Sequence, residues 1–306
     1  MFLDLFDSIS KINKDLDSNK LTAEPIFSFL TPSSQVCYSA KTNQQLGSCS
    51  RELWFEKNNY PKTNIKNSEH VKMSAYIGNK WEDWFVDNLK LLPNTFITTQ
   101  VLATYPENFV KGFVDVLIKN PISTKFELIE VKTYDGGSFF SAEIYGDDYK
   151  KPTPKIKHLL QAFRYLLIFK EKVDAINLVY IDRSCTSWFR NKQFRITLEE
   201  FSGNIYPKIE VMHKGNFITY VNSEVTEASI INSEKNLLTN IRTNTIPPKD
   251  FKASYTPQEI EEKYKAGLIY KSSYTRYKND PLAVSLGDFQ CEYCPFSKGT
   301  CEKYGN

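Results

Sequence analysis

Gly112-Phe113-Val114-Asp115-Val116-Leu117-Ile118 is followed, after Lys119-Asn120-Pro121-Ile122-Ser123-Thr124, by Phe126-Glu127-Leu128-Ile129-Glu130-Val131-Lys132-Thr133-Tyr134. Both runs are short and rich in β-branched and aromatic residues, and the segment between them carries turn residues, so the pattern predicts a β-hairpin. Side chains alternate faces along a strand, which points Glu130 and Lys132 the same way and lets the partner strand bring Asp115 beside them. Two carboxylates and a lysine at the end of an otherwise apolar sheet suit magnesium-dependent phosphodiester chemistry. The metal prefers oxygen ligands and keeps several waters, and the lysine can orient the attacking water and offset developing charge. Taken alone, Glu-x-Lys is a weak signal and is better read as a surface hairpin with an ion pair.

Outward from the hairpin, Asp4 to Leu16, Gln44 to Asn58 and Glu69 to Leu91 read as helices, the last with a stripe through Val71, Ala75, Trp81, Phe85 and Leu89. Strands are expected at Phe96 to Ala103, Phe109 to Ile118 and Lys125 to Tyr134. A polar stretch containing Gly136-Gly137 and Asp147-Asp148 leads to Pro152-Thr153-Pro154. A helix then runs to about Lys170, with Ile156, Leu160, Phe163 and Leu167 on its buried stripe, and Val173 to Ile181 is a further strand. This order predicts an α/β fold, a mixed sheet flanked by helices. Residues 184–245 read as a strand-rich extension with a helix near Glu227 to Arg242, before a break at Pro247-Pro248 and a short helix at Thr256 to Lys265. Three regions follow: an N-terminal helical region (1–68), a core (69–183), and an extension with a cysteine-dense end (184–306).

The chain has 306 residues, 25% charged and 41% hydrophobic, with a net charge of +3, which describes an ordinary globular protein. That charge is too mild to indicate a nucleic-acid partner, so any such field must come from local clustering. Met1 to Asp7 has acids inside its apolar stretch and no basic leader, so a secretory signal is not expected. No run reaches membrane-span length, and no Walker A loop marks a helicase motor. A cytoplasmic location, in a bacterial or phage-infected cell, is the expectation, and cysteines there are better read as metal ligands or core residues than as disulfides.

Two further patterns flank the hairpin. Gly78-Asn79-Lys80-Trp81-Glu82 places a third carboxylate on the preceding helix, and Gln161-Ala162-Phe163-Arg164-Tyr165 places Gln161 and Tyr165 on one helical face. Over residues 78–165 the chain resembles the PD-(D/E)XK nuclease superfamily, most closely its RecB-like branch. The resemblance implies a restriction-endonuclease-like core and a catalytic set of Asp115, Glu130, Lys132, Gln161 and Tyr165. It also implies Mg2+ or Mn2+ held by Asp115, Glu130 and the carbonyl of Val131. Glu82 falls where many members have a metal-binding histidine. His158, one turn before Gln161, reads as a polar helix-face residue.

Six cysteines are present, and the last three form Cys291-x2-Cys294-x6-Cys301. Three clustered thiolates need a fourth ligand to close a zinc site or an iron–sulfur cluster. The segment Cys49-Ser50-Arg51-Glu52-Leu53-Trp54 resembles the Cys-Pro-Arg segment of iron–sulfur RecB-like nucleases, including CRISPR-associated adaptation exonucleases and the AddB nuclease domain. That resemblance implies a structural [4Fe–4S] cluster on Cys49, Cys291, Cys294 and Cys301. Zinc is the alternative metal and Cys37 the alternative fourth ligand. Cys185 reads as a packed or free thiol.

Lys155, Lys157 and Arg164 are candidate DNA contacts. The tail run Tyr264-Lys265, Tyr270-Lys271, Tyr274-Thr275-Arg276-Tyr277-Lys278 and the run Trp188-Phe189-Arg190 mix aromatic and basic groups as single-strand binders do, although solvated helices with half-buried tyrosines fit too. The expected function is a metal-dependent DNA exonuclease acting on single-stranded ends, with a helicase or CRISPR integrase as a conceivable partner and no membrane. A catalytically idle DNA- or partner-binding protein of the same fold, or a zinc-stabilised interaction protein, are the competing readings.

Overall fold

The computed structural model describes residues 30–32, 35–63, 68–92, 96–119, 125–134, 144–146, 151–183, 191–281, 284, 286–297 and 299–304. The expected helix at Asp4 to Leu16, the Gly136-Gly137 and Asp147-Asp148 turns, Cys185 and the Trp188-Phe189-Arg190 run lie outside the described residues.

Helices α1 (Ser50–Lys57) and α2 (Ser68–Lys90) precede strands β1 (Ile97–Tyr105), β2 (Val110–Lys119) and β3 (Phe126–Tyr134). Helix α3 (Ile156–Phe169) then leads to β4 (Val173–Asp182), β5 (Lys192–Phe201), β6 (Asn204–His213) and β7 (Asn216–Val221). The chain continues through α4 (Glu227–Arg242), α5 (Pro257–Lys265), α6 (Lys271–Asn279), α7 (Phe289–Tyr293) and α8 (Thr300–Lys303). The strands form one seven-stranded mixed sheet in sequential order. Neighbours are antiparallel except β3 and β4, which run parallel because α3 carries the chain back across the sheet. The molecule is therefore α/β, as expected.

Two boundaries differ from the sequence reading. The helix expected over Gln44 to Asn58 begins only at Ser50, because the chain before it turns back and Gln45 bridges Tyr38. The strands after residue 184 extend the core sheet, with β5 pairing along β4 from Ile176/Ile196 to Tyr180/Lys192.

The faces of the sheet are covered differently. On one, Val86 of α2, with Trp81, Phe85 and Leu89 beside it, packs on Val116, Ile129, Val131 and Ile181. On the other, Leu159, Ala162, Tyr165 and Leu166 of α3 pack on Val101, Val114, Leu128, Leu178 and their neighbours. The expected stripe of Leu160, Phe163 and Leu167 is buried, and it meets Cys37, Val225 and Ile230 in a second core cluster. Thus α3 is buried on two sides, and a charge on either of them needs a buried partner. A separate cluster joins Leu53, Trp54 and Phe55 of α1 to Leu237, Leu238 and Ile241 of α4 and to Phe296 near the C-terminal end. No helix among the described residues is long and apolar enough to cross a membrane.

Candidate functional site

Strands β2 and β3 pair only from Val116/Ile129 to Lys119/Phe126. Beyond that they part, and Asp115 and Glu130 stand where the fork opens. The β1–β2 ladder also breaks here. Its pairing skips Gln100 and Asp115 while keeping register on either side, and Gln100 takes a left-handed φ of 52°. Val114 and Val116 then fall in different hydrophobic clusters although they are two residues apart. A local break of alternation inside a strand re-aims side chains, and such breaks gather at functional sites.

At the fork the Asp115 carboxylate takes the place of a lost ladder bond, accepting the Val131 N–H at 2.7 Å. Lys132 Nζ and Gln161 Nε2 both donate to Glu130 Oε1, each at 2.7 Å. Tyr165, one turn beyond Gln161, donates its hydroxyl to the Phe113 carbonyl at 2.7 Å and so fixes α3 against β2. From the opposite face of the sheet, Glu82 of α2 shares a hydrogen bond with Asp115 and accepts one from Gln100 Nε2 at 3.1 Å. Every side chain of the sequence-derived catalytic set, together with Glu82, meets here.

The carboxylates are electrostatically uncomfortable. Burial pushes Glu130 up to about 8, with Asp115 adding to the rise and Lys132 opposing it. Burial also pushes Glu82 up to about 7, and Asp115 reinforces that shift. Asp115 is raised by burial too, against the pull of the Val131 N–H. The second oxygen of Glu130 is buried without a hydrogen-bond partner. An orphaned buried carboxylate oxygen beside two further acids is a donor set suited to a hard divalent cation. Among the described residues, no three His, Cys, Asp or Glu side chains are arranged to hold a metal ion as they stand.

The second expected site lies elsewhere. Cys49, Cys291, Cys294 and Cys301 line one small cavity of about 20 Å³, together with Arg51 and Glu52. Cys49 immediately precedes α1, where Ser50 donates through N and Oγ to Asp250 Oδ2, both at 2.6 Å. Arg51 is buried, donating Nε to the Pro247 carbonyl at 2.7 Å and directing Nη1 at Cys301 Sγ at 4.0 Å. Burial pushes Cys291 up to about 11 and Cys294 up to about 12, and it raises Cys49 as well. These thiols therefore stay protonated until a cation displaces the proton. Cys37, the alternative fourth ligand, lies away from the cavity, fully buried beside Leu160 and Phe163, with its Sγ 3.5 Å from Ser229 Oγ.

The expected DNA contacts divide. Arg164 is a correction: it is 1% exposed and forms a two-pronged ion pair with Glu234, Nε to Oε1 at 2.8 Å and Nη2 to Oε2 at 2.9 Å. Asn108 also donates to Glu234, at 2.6 Å, and Tyr105 covers the guanidinium at 4.3 Å. This is an internal brace between α3 and α4. Lys157 is exposed and close enough to Glu52 to influence its charge, which places it toward the thiol cavity. Lys155 is half-buried and caps the start of α3, where its backbone N–H donates to the Tyr180 hydroxyl at 3.1 Å. His158, at 2.9 Å from the same hydroxyl, is pushed down to about 3 by burial and by Lys132, Lys155 and Lys157. In the tail, Tyr264 and Tyr274 stack on each other at 3.8 Å, and Tyr274 also donates to Glu261, so that pair is engaged within the α5–α6 hairpin.

Two residues at the fork carried no sequence signal. Gln100 holds Glu82 from a strained position, and Arg183, just past β4, lines the cleft beside Glu82 and Lys132. Comparisons of the chain with protein-family models, curated proteins and solved structures returned no match.

Proposed function

We propose that this chain is a metal-dependent DNA nuclease of the PD-(D/E)XK type, acting on single-stranded ends, with a structural iron–sulfur cluster remote from its active site. One observation carries the reading: Glu82, Asp115, the Glu130–Lys132 pair and the Gln161–Tyr165 pair come from four separate elements and meet at the β2–β3 fork. A surface ion pair would need none of the others.

Asp115, Glu130 and the Val131 carbonyl are the ligands suited to Mg2+ or Mn2+, with Glu82 as an additional carboxylate. Such an ion neutralises the phosphate and lowers the pKa of a bound water. Gln161 fixes Glu130 through Oε1, leaving the unpartnered Oε2 for the ion. Lys132, held beside Glu130 by its hydrogen bond to Oε1, would orient the attacking water and offset charge developing on the phosphate. Tyr165 holds the Phe113 carbonyl and thereby the approach of β2 to α3.

Cys49, Cys291, Cys294 and Cys301 are the residues suited to a [4Fe–4S] cluster, with Arg51 compensating its negative charge. Zinc on the same four thiols is the competing occupant, and the resemblance of the Cys49-Ser50-Arg51 segment to iron–sulfur nucleases is what favours the cluster. Digestion of end-labelled single- and double-stranded DNA with Mg2+ or Mn2+, with and without chelator, tests the activity. Iron, sulfide and zinc contents of anaerobically purified protein test the metal.

A further inference from the structure

A cleft of about 520 Å³ opens from the carboxylate fork along the ends of β3 and β4. Its walls are one face of α2, from Ser74 to Glu82, the β3 segment Val131 to Thr133, and Arg183. Strands β3 and β4 are parallel and end together here, and ligands commonly bind in the crevice at the carboxyl ends of parallel strands. Helix α2 comes close to β3 at Gly78, where a Cβ would stand 3.2 Å from Thr133 Oγ1. The cleft's remaining donors are Asn79, Thr133, Lys132 and Arg183, against the single carboxylate of Glu82.

Arg183 is placed by its backbone, whose N–H donates to the Tyr134 carbonyl at 2.8 Å. Its guanidinium reaches α2 through Nη1, which contacts the Ser74 carbonyl and hydroxyl, both at 3.4 Å. Those contacts are long. A phosphodiester offers the guanidinium shorter, charge-assisted bonds of about 2.7–2.9 Å in a matching planar geometry.

We propose that this cleft is a phosphate subsite of the nucleic-acid path, in which Arg183 grips a backbone phosphate flanking the one at the fork. The subsite rests on the nuclease reading and adds a residue and a direction to it: the strand leaves the fork between α2 and the ends of β3 and β4. A purely structural role, with Arg183 acting as a strut from β4 to Ser74, makes a different prediction.

The test is binding of a fluorescein-labelled single-stranded oligonucleotide, by anisotropy with Ca2+ in place of Mg2+, over a series of salt concentrations. Arg183→Ala is expected to weaken binding about tenfold and to flatten the slope of log K against log salt by about 0.7, the value for one lost phosphate contact on a single strand. Ser74→Ala, which removes the strut's hydroxyl but keeps the charge, is expected to leave the slope unchanged. An unchanged slope in Arg183→Ala overturns the subsite, whatever happens to its melting temperature. Equal slope changes in both variants overturn it in favour of the strut. If the wild type neither binds nor cleaves the oligonucleotide, the nuclease reading itself falls and takes the subsite with it.

Discussion

At the β2–β3 fork, the candidate side chains come from residues 82 to 165, and hydrogen bonds tie each to the sheet or to another member. At the thiol cavity, Cys49 meets Cys291, Cys294 and Cys301 from opposite ends of the chain. That second site is built into an apolar cluster in which α1, α4 and Phe296 pack together. The fork concentrates charge in a buried place, so its residues should cost stability, as the proposed catalytic role would require. The cavity instead joins distant segments, so its residues should matter to the fold. Damage to the first should remove chemistry and spare stability, while damage to the second should do the reverse.

The sharpest way to break that contrast is Asp115→Asn. Its carbonyl can still accept the Val131 N–H, while the charge that burial disfavours is gone. Hydrolysis should fall on the order of 10³-fold, with a melting temperature equal to or above that of the wild type. A variant that unfolds would show that the fork is structural.

Cys49→Ser tests the other side. Iron content should collapse and the protein should lose several kcal/mol of stability, since cluster binding contributes directly to folding. Cys37→Ala should keep its iron, because Cys37 lies outside the cavity. Equal iron loss in both variants would contradict the assignment.

Arg164→Ala should cost about 3–5 kcal/mol, the usual penalty for leaving one partner of a buried ion pair alone. Thermal or denaturant unfolding measures it, and the salt dependence of DNA binding should stay as in the wild type. This separates the α3–α4 brace from the phosphate contact that the sequence had suggested.

The smallest effect concerns acid. His158 has a folded-state pKa near 3, below its ordinary value of 6.5. Its contribution to stability is therefore complete above about pH 6.5 and is lost as pH falls toward 3, because the unfolded chain takes up the proton first. His158→Gln should flatten the decline in melting temperature between pH 7 and pH 5. An unchanged decline would assign the acid sensitivity to other groups.

The β2–β3 hairpin, the mixed sheet flanked by helices and the meeting of the candidate side chains were legible in the sequence because they rest on local alternation and short spacings. The four cysteines were legible through their spacing and the Cys49-Ser50-Arg51 segment. Arg164 was misread because its helix was taken to have one buried stripe; α3 has two, and only tertiary packing reveals that Glu234 lies opposite. Gln100 carries no signal at all, since a left-handed glutamine in a strand arises from a break in pairing that no propensity records. Arg183 acquires its meaning only from the ends of two strands meeting in space.

The central claim is tested most directly by incubating end-labelled single-stranded DNA with wild-type protein and with Lys132→Ala, in Mn2+ or Mg2+, with chelator as control. Metal-dependent degradation by the wild type that is lost with chelator and in Lys132→Ala is the expected result. Equal degradation by the two proteins, or none by an iron-replete wild type, would contradict it.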